Sequence, residues 1–238
     1  MGSCEKVAIL VDGAFYRRRA YHLFGDKGPQ ARAEELIEYC KRHVDAPDGT
    51  YHNDLYRIFY YDCPPMQGNV YHPFLKKSVC LKKSATYSWA NDFFEALKSK
   101  RKVALRMGKL QEGESGYRIK PKPLKKLMRG DISINDLAEC DFELDLVQKG
   151  VDMRIGLDIA SMAYRKQASQ IVLIAGDSDF VPAAKHARRE GIDFILDPMW
   201  QGVRSDLYEH IDGLRSWTKR TPTPDDEPLC ARLDGGLS

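Results

Sequence analysis

The feature that most constrains the fold is a short apolar run, Ile171–Ala175, which ends at a glycine and is followed at once by acidic residues. The run is rich in β-branched residues and lacks polar alternation, which is typical of a central parallel strand covered on both faces. Gly176 then permits a turn, and Asp177 emerges at the carboxyl end of the strand. In open α/β sheets, that edge is where ligands bind.

A helix is predicted directly after this turn. Ser178 or Asp179 can act as its N-cap, Pro182 falls in its first turn, and Gly191 ends it. Because Asp and Ser are preferred capping residues, Asp177, Ser178 and Asp179 can also be interpreted as caps alone. The rest of the chain has to separate these two interpretations.

The same pattern occurs near the N-terminus, where the apolar run Val7–Val11 ends in Asp12 and Gly13. If both runs are central parallel strands, Asp12, Asp177 and Asp179 emerge at one edge of the sheet and converge there. A simple turn carboxylate at the end of a strand is the alternative for Asp12. Two strands that each end in Asp favour convergence.

Further acidic residues occupy related positions. The aromatic run Tyr56–Tyr61 predicts a strand that ends in Asp62, which is a candidate for the rim of the site or a turn carboxylate ahead of two prolines. Lys149 opens a motif that places Asp152 in the first turn of a helix, where negative charge is tolerated. Asp158 follows six residues later on another part of that helix. Asp152 therefore ranks above Asp158 as a ligand, and Asp158, Lys149 and Ser178 are rim candidates.

Basic residues are concentrated in two places. Arg17 and Arg18 lie among aromatic residues between Phe15 and His22, a mixture suited to phosphate contacts and base stacking. An amphipathic helix with solvated arginines is the alternative. From Lys98 to Arg129 there are twelve Lys or Arg residues and two Glu. The lysines predicted to contact a polyanion are Lys120, Lys122, Lys125 and Lys126.

The glycines and prolines of this basic segment favour a hairpin or an irregular insertion at about 98–130, and a solvated surface is the alternative to a polyanion contact. Residues 131–145 carry six acids and no base. The patterns elsewhere predict helices at 31–44, 89–100 and 207–214, a strand at 192–196 and an edge strand from residue 142.

Length and composition fit one α/β domain with an insertion. The 238 residues are 43% hydrophobic and 30% charged, which allows one sizeable core in residues 1–218, and the segment 219–238 has the composition of a disordered tail. No apolar stretch is long enough to span a bilayer and no leader is apparent, so we expect a cytoplasmic protein without membrane contact. The six cysteines contain no C-x-x-C pair, which argues against a zinc cage and disulfides. A homo-oligomer is compatible with the sequence.

Three segments carry a family resemblance. The segments Val7–Gly13, Lys149–Asp152 and Leu173–Pro182 together resemble the NYN domain, a branch of the PIN-like nuclease superfamily, over roughly Lys6 to Leu214. The resemblance implies a PIN-like, Rossmann-type three-layer sandwich with a central, mainly parallel sheet. It also implies RNA cleavage at an acidic pocket that binds Mg²⁺ or Mn²⁺. By position, the family's acidic residues correspond to Asp12, Asp152, Asp177 and Asp179. NYN proteins often have Asn three residues after the first Asp, where this chain has Phe15, a departure that bears on substrate positioning more than on fold.

The residues support metal chemistry independently of the resemblance. Carboxylates gathered at one edge repel one another unless a cation neutralises them, and an oxygen-rich ligand set favours Mg²⁺ or Mn²⁺ over Zn²⁺. A dinucleotide-binding enzyme and a P-loop protein are excluded because both glycine motifs are absent. Two alternatives stay open. One is an RNA-binding module on the same fold with weak or no catalysis, and the other is a metal-dependent phosphatase acting on small phosphoesters.

Overall fold

The structure is a computed structural model, and it describes residues 5–45, 53–111 and 115–217. The tail predicted from residue 219 lies outside this part of the chain. Two compact units are present. The first comprises Met1–Asp62, Asp92–Met107 and Gly150–Ser238, and the second comprises Cys63–Asn91 and Gly108–Lys149.

Both strands and helices occur along the whole described chain. In the described residues the strands are β1 (Lys6–Asp12), β2 (Asp54–Asp62), β3 (Asn69–His72), β4 (Lys77–Cys80), β5 (Val103–Met107), β6 (Lys109–Leu110), β7 (Gly116–Ile119), β8 (Phe142–Asp145), β9 (Gln148–Lys149), β10 (Gln170–Ile174), β11 (Asp193–Asp197) and β12 (Gly213–Leu214). The helices are α1 (Gly13–Phe24), α2 (Pro29–Lys41), α3 (Ala85–Lys98), α4 (Pro121–Arg129), α5 (Val151–Tyr164), α6 (Val181–Arg189) and α7 (Ser205–Tyr208).

The first unit is built on a six-stranded sheet in the order β12-β11-β10-β1-β2-β5, and every neighbouring pair is parallel. The predicted α/β fold is confirmed. The residues from Val7 to Val11 and from Ile171 to Ala175 have no exposed surface, as their unbroken apolar pattern predicts for strands covered on both faces.

The order of the strands in the sheet reverses between β1 and β10. Strands β2 and β5 lie on one side of β1, and β10, β11 and β12, which come later in the chain, lie on its other side. Val11 of β1 pairs with Ile174 of β10, so the residues that follow the two strands leave the sheet at the same edge. The carboxyl ends of strands at such a switch point form a crevice that binds ligands.

The predicted helix at 207–214 is wrong beyond Tyr208. Helix α7 spans only Ser205–Tyr208, and Gly213–Leu214 forms β12 beside Ile195 and Leu196. Asp212 explains the difference, because its Oδ2 accepts a hydrogen bond from the backbone N–H of Phe194 at 2.9 Å. This bond holds the chain in an extended conformation along β11.

The second unit contains three antiparallel pairs, β3–β4, β6–β9 and β7–β8. Met66, Val70 and Leu81 form its small buried core. The basic segment is divided between the units, because β5 belongs to the central sheet while β7 and α4 belong to the second unit. As the glycines and prolines predicted, the segment forms a hairpin strand and a nine-residue helix rather than one long helix.

In the described part of the chain, no helix has the length and apolar character that a membrane span requires. Cys40, Cys80 and Cys140 form no disulfide bond with any described residue.

Candidate active site

Asp12 stands at the junction of β1 and α1. It is the N-cap of α1, and its Oδ1 accepts a hydrogen bond from the backbone N–H of Phe15 at 3.1 Å. The next residue must be small, because a Cβ on Gly13 would lie 2.6 Å from Asp62 Oδ2 and 2.6 Å from the hydroxyl oxygen of Tyr60. The tight turn therefore fixes the direction in which Asp12 leaves the strand.

The environment of Asp12 disfavours its charged form. The pKa of Asp12 is raised from its ordinary 3.8 to about 6, chiefly by burial and in smaller part by the negative charges of Asp152 and Asp62. The hydrogen bond from Phe15 and the positive charge of Arg18 act in the opposite direction. Asp12 is thus a carboxylate that lacks full compensation for its charge.

Asp152 lies in the first turn of α5, as predicted, after Gly150, which adopts a left-handed conformation with φ of 81°. Desolvation raises the pKa of Asp152, and the charges of Asp177 and Asp179 raise it as well. Because Asp152 also acts on Asp12, the repulsion extends across all four predicted carboxylates. They come from the ends of two strands and the start of one helix.

Neither Ser178 nor Asp179 is the N-cap of α6, contrary to the prediction. Residues Ser178–Phe180 form a 3₁₀ turn, and the N-cap of α6 is Phe180, with no capping bond from a side chain. Asp177 instead accepts a hydrogen bond from the backbone N–H of Asp179, with 3.2 Å between Oδ1 and N. Both carboxylates are exposed beyond β10, and the side chain of Ser178 lies outside the described part of the structure.

Asp62 is engaged in a buried ion pair. Its carboxylate has no exposed surface and receives both terminal nitrogens of Arg17, with Nη1–Oδ2 of 3.1 Å and Nη2–Oδ1 of 3.2 Å. The hydroxyl of Tyr60 donates to the same carboxylate at 3.2 Å. Arg17 is therefore paired with Asp62, and in this respect it differs from its neighbour Arg18.

Asp158 is also held by its neighbours. Its Oδ2 accepts hydrogen bonds from the hydroxyl of Tyr61 at 2.8 Å and from Nε of Arg106 at 3.0 Å. The guanidinium of Arg106 in turn lies over the ring of Phe59, 5.2 Å from its centroid. Asp158 thus connects α5 to β2 and β5.

Lys149 and the four lysines belong to the second unit. Lys149 is exposed and pairs with Lys109 in β9–β6. Lys120 is the N-cap of α4, and its Nζ donates to the carbonyl oxygen of Cys140 at 2.7 Å. Lys122, Lys125 and Lys126 are exposed on α4, a helix without any buried residue.

A pocket of about 460 Å³ adjoins the acidic residues and is lined by Asp12 and Asp177. Arg18, Arg19, His22 and Gln201 also line it. Sequence reasoning did not find His22 and Gln201. The positions 15, 18 and 22 share one face of α1, which is a detectable signal for His22. Gln201 had no such signal, because its loop is shaped by distant contacts.

The carboxylates suit a hard cation in their chemistry. Among the described residues, no three His, Cys, Asp or Glu side chains form a ready-made metal cage. Mg²⁺ typically keeps several waters and binds through one or two carboxylates together with substrate phosphates, so it does not require such a cage. Oxygen donors with uncompensated charge, of which Asp12 is the clearest case, fit this kind of site.

A family model described as the NYN domain matches residues 6–200. The chain belongs to the NYN domain family. The matched span includes Asp12, Asp152, Asp177 and Asp179, and the predicted membership is confirmed. The NYN domain is a nuclease-type fold of the PIN-like superfamily.

Other comparisons of this NYN domain chain give less information. A protein of unknown function from Vibrio parahaemolyticus RIMD 2210633 has a similar solved structure, with 13% identity and a TM-score of 0.49. The alignment covers 92% of this chain and 96% of that chain. No curated protein matches the chain significantly.

Proposed function

We propose that this NYN domain chain is a metal-dependent ribonuclease that hydrolyses RNA phosphodiester bonds with Mg²⁺ or Mn²⁺ as its cofactor. The observation that carries the proposal is that Asp12 and Asp177 line one pocket at the switch point of the sheet. The charge of Asp152 raises the pKa of Asp12, and the charges of Asp177 and Asp179 raise the pKa of Asp152. Carboxylates that repel one another at a ligand-binding edge are poised to bind a cation. Membership of a nuclease-type family supports the same function.

The residues proposed to hold the ion are Asp12, Asp152, Asp177 and Asp179, with water and a substrate phosphate completing its coordination. When bound, the ion offsets the carboxylate repulsion, favours deprotonation of the attacking water and stabilises negative charge on the phosphate. The N–H of Phe15 fixes Asp12 through Oδ1. With its pKa raised to about 6, Asp12 keeps its proton to a higher pH than an ordinary aspartate does.

RNA contacts are proposed on both units. Arg18 is exposed next to Asp12, where its positive charge can meet a phosphate. Lys122, Lys125 and Lys126 present further positive charge along α4. Each phosphate that these side chains neutralise releases counterions, so this binding is salt-dependent.

A second candidate is an RNA-binding module with weak or no catalysis. The observation that favours it is Phe15, a buried apolar residue at the position where NYN proteins often have Asn. A phosphatase acting on small phosphoesters is the third candidate, and it leaves the exposed lysines of α4 without a role.

The test compares labelled RNA with a chromogenic phosphoester, each incubated with and without Mn²⁺. A ribonuclease cleaves only the RNA, and only with the ion. Asp12→Asn and Asp177→Asn should each lower this cleavage on the order of a hundredfold or more, because each removes charge from the proposed ion site. Asp92→Asn is the matched control, since Asp92 is exposed on α3 and is not among the charges that shift the pKa of Asp12 or Asp152.

The alternatives give different results in the same assay. RNA binding without cleavage at any Mn²⁺ concentration would identify the binding module. Hydrolysis of the phosphoester alone would identify the phosphatase. Equal RNA cleavage by the two variants and the wild type would remove the proposed site.

A further inference from the structure

The pocket beside Asp12 and Asp177 has two walls of different origin. One wall is a face of α1, on which Phe15, Arg18 and His22 follow one another at helical spacing. Gln201, from the loop after β11, stands on the other wall. At about 460 Å³ the pocket is within the size range of small-ligand sites and is large enough for one nucleotide.

The lining of the pocket carries charged groups of both signs. Asp12 and Asp177 contribute carboxylates, while Arg18 and His22 contribute nitrogen donors. Both of these basic residues are exposed, and neither forms an ion pair with any residue that the structure describes. Arg17, in contrast, is directed at Asp62. Arg18 and His22 therefore present donors to a ligand rather than to the protein.

The loop that carries Gln201 is held in a strained conformation. Met199 and Trp200 have φ values of 46° and 62°, in the left-handed region that residues with a side chain rarely adopt. Arg19 donates to the carbonyl oxygen of Met199 from Nε at 3.1 Å and from Nη2 at 2.6 Å. Asp197 accepts from the N–H of Met199 at 2.7 Å.

Such strain persists only where its surroundings impose it, and it is concentrated at ligand sites. Here Arg19 extends from α1 to the loop, so the helix that carries Arg18 and His22 also fixes the position of Gln201. The two walls are thus connected by direct hydrogen bonds.

We propose that this pocket is a nucleotide subsite adjoining the point of cleavage. Arg18 and His22 bind a phosphate group, and the side-chain amide of Gln201, which has both donors and an acceptor, hydrogen-bonds the base. The place of this subsite next to a scissile bond rests on the proposed nuclease function. The phosphate belongs either to an internal nucleotide of the RNA or to a chain terminus.

The first experiment measures binding of uridine and adenosine 5′-monophosphates to the full chain in EDTA by calorimetry. Arg18→Gln combined with His22→Gln should weaken binding of both nucleotides at least about tenfold, because charge-assisted hydrogen bonds are lost. Gln201→Ala should change the ratio of the two affinities. Arg42→Gln, an exposed arginine after α2, is the matched control and should change neither. Thermal melting verifies that each variant is folded.

The second experiment identifies the source of the phosphate. Short RNAs with a 5′-phosphate or a 5′-hydroxyl are bound to the same proteins. A preference for the 5′-phosphate that disappears in Arg18→Gln assigns the subsite to a terminus, whereas equal affinities with equal losses assign it to an internal nucleotide.

Unchanged nucleotide affinity in Arg18→Gln, His22→Gln and Gln201→Ala overturns the proposal. Because these measurements need neither metal nor turnover, the two proposals can fail separately. Binding that depends on Arg18 in a protein without cleavage rejects the nuclease function alone. If the wild type cleaves RNA but its nucleotide affinity is unchanged by substitution of Arg18, His22 and Gln201, the subsite alone is rejected.

Discussion

The ring of Phe15 lies against the backbone of Gly176, so that a Cβ at position 176 would be 2.9 Å from Cδ2 of Phe15. This contact joins the first turn of α1 to the turn after β10. Asp12 and Asp177 stand on these two turns, so the packing of one ring sets the relation between the two predicted ligands. A position that often carries Asn in this family here has an apolar packing role.

Gly176→Ala should lower the free energy of unfolding by about 1–3 kcal/mol, because the new methyl group overlaps the ring of Phe15. Urea unfolding measures this difference. Gly28→Ala is the control, since no atom lies within 4 Å of a Cβ at position 28. Phe15→Leu, by shortening the opposing side chain, should recover part of the loss. Equal stability of Gly176→Ala and the wild type would contradict the close contact.

The raised pKa of Asp12 predicts how stability depends on pH without metal. The folded pKa of about 6 exceeds the ordinary 3.8, so the folded state binds the proton more tightly. The resulting stabilisation is complete below about pH 4 and is lost as pH rises through 6, roughly 2–3 kcal/mol in all. Asp12→Asn should flatten this decline in denaturation curves recorded in EDTA, whereas Asp92→Asn should preserve it. Identical pH profiles for Asp12→Asn and the wild type would refute the shift.

Mn²⁺ should raise the melting temperature if the carboxylates hold it. At about 100 times the dissociation constant, an ion that binds only the folded state adds roughly 2.7 kcal/mol. Asp12→Asn combined with Asp177→Asn should abolish the increase, and NaCl at matched ionic strength corrects for screening. A shift that survives in the double variant would place the ion elsewhere.

The lysines of α4 should control the salt dependence of RNA binding. Replacing Lys122, Lys125 and Lys126 with Ala should reduce the slope of log K against log salt by up to about 2, because fewer counterions are released from single-stranded RNA. Lys120 is retained because it bonds the carbonyl of Cys140. Lys82→Ala with Lys83→Ala is the control, as both are exposed outside the basic segment. An unchanged slope would limit α4 to a solubility role.

The parallel sheet could be predicted from sequence because β1 and β10 are unbroken apolar runs. This pattern is visible in a few consecutive residues and indicates strands that are buried on both faces. The candidate site followed from the same logic, since the ends of parallel strands share an edge. The position of Asp152 could be predicted because the turn at Lys149–Asp152 starts a helix. These three predictions required no knowledge of distant contacts.

The remaining differences arise from contacts between residues far apart in the chain. Nothing near Asp62 indicates that Arg17 will pair with it, or that Asp158 will accept from Tyr61 and Arg106. Strand β12 depends in the same way on Asp212, whose carboxylate reaches β11. Local propensity cannot report such pairings.

The central pairing of the sheet also has a consequence for synthesis. The N–H of Ser169 bonds the carbonyl of Lys6, so β1 obtains its neighbour β10 from residues about 160 positions later. At ribosomal rates of about 5–20 residues per second, roughly 8–30 s pass before that partner emerges. During this interval one edge of β1, whose residues Val7 to Val11 are fully buried in the folded protein, is unpaired. An unpaired apolar edge is a site for wrong pairing, so we expect folding yield to depend on the rate of translation and on chaperones.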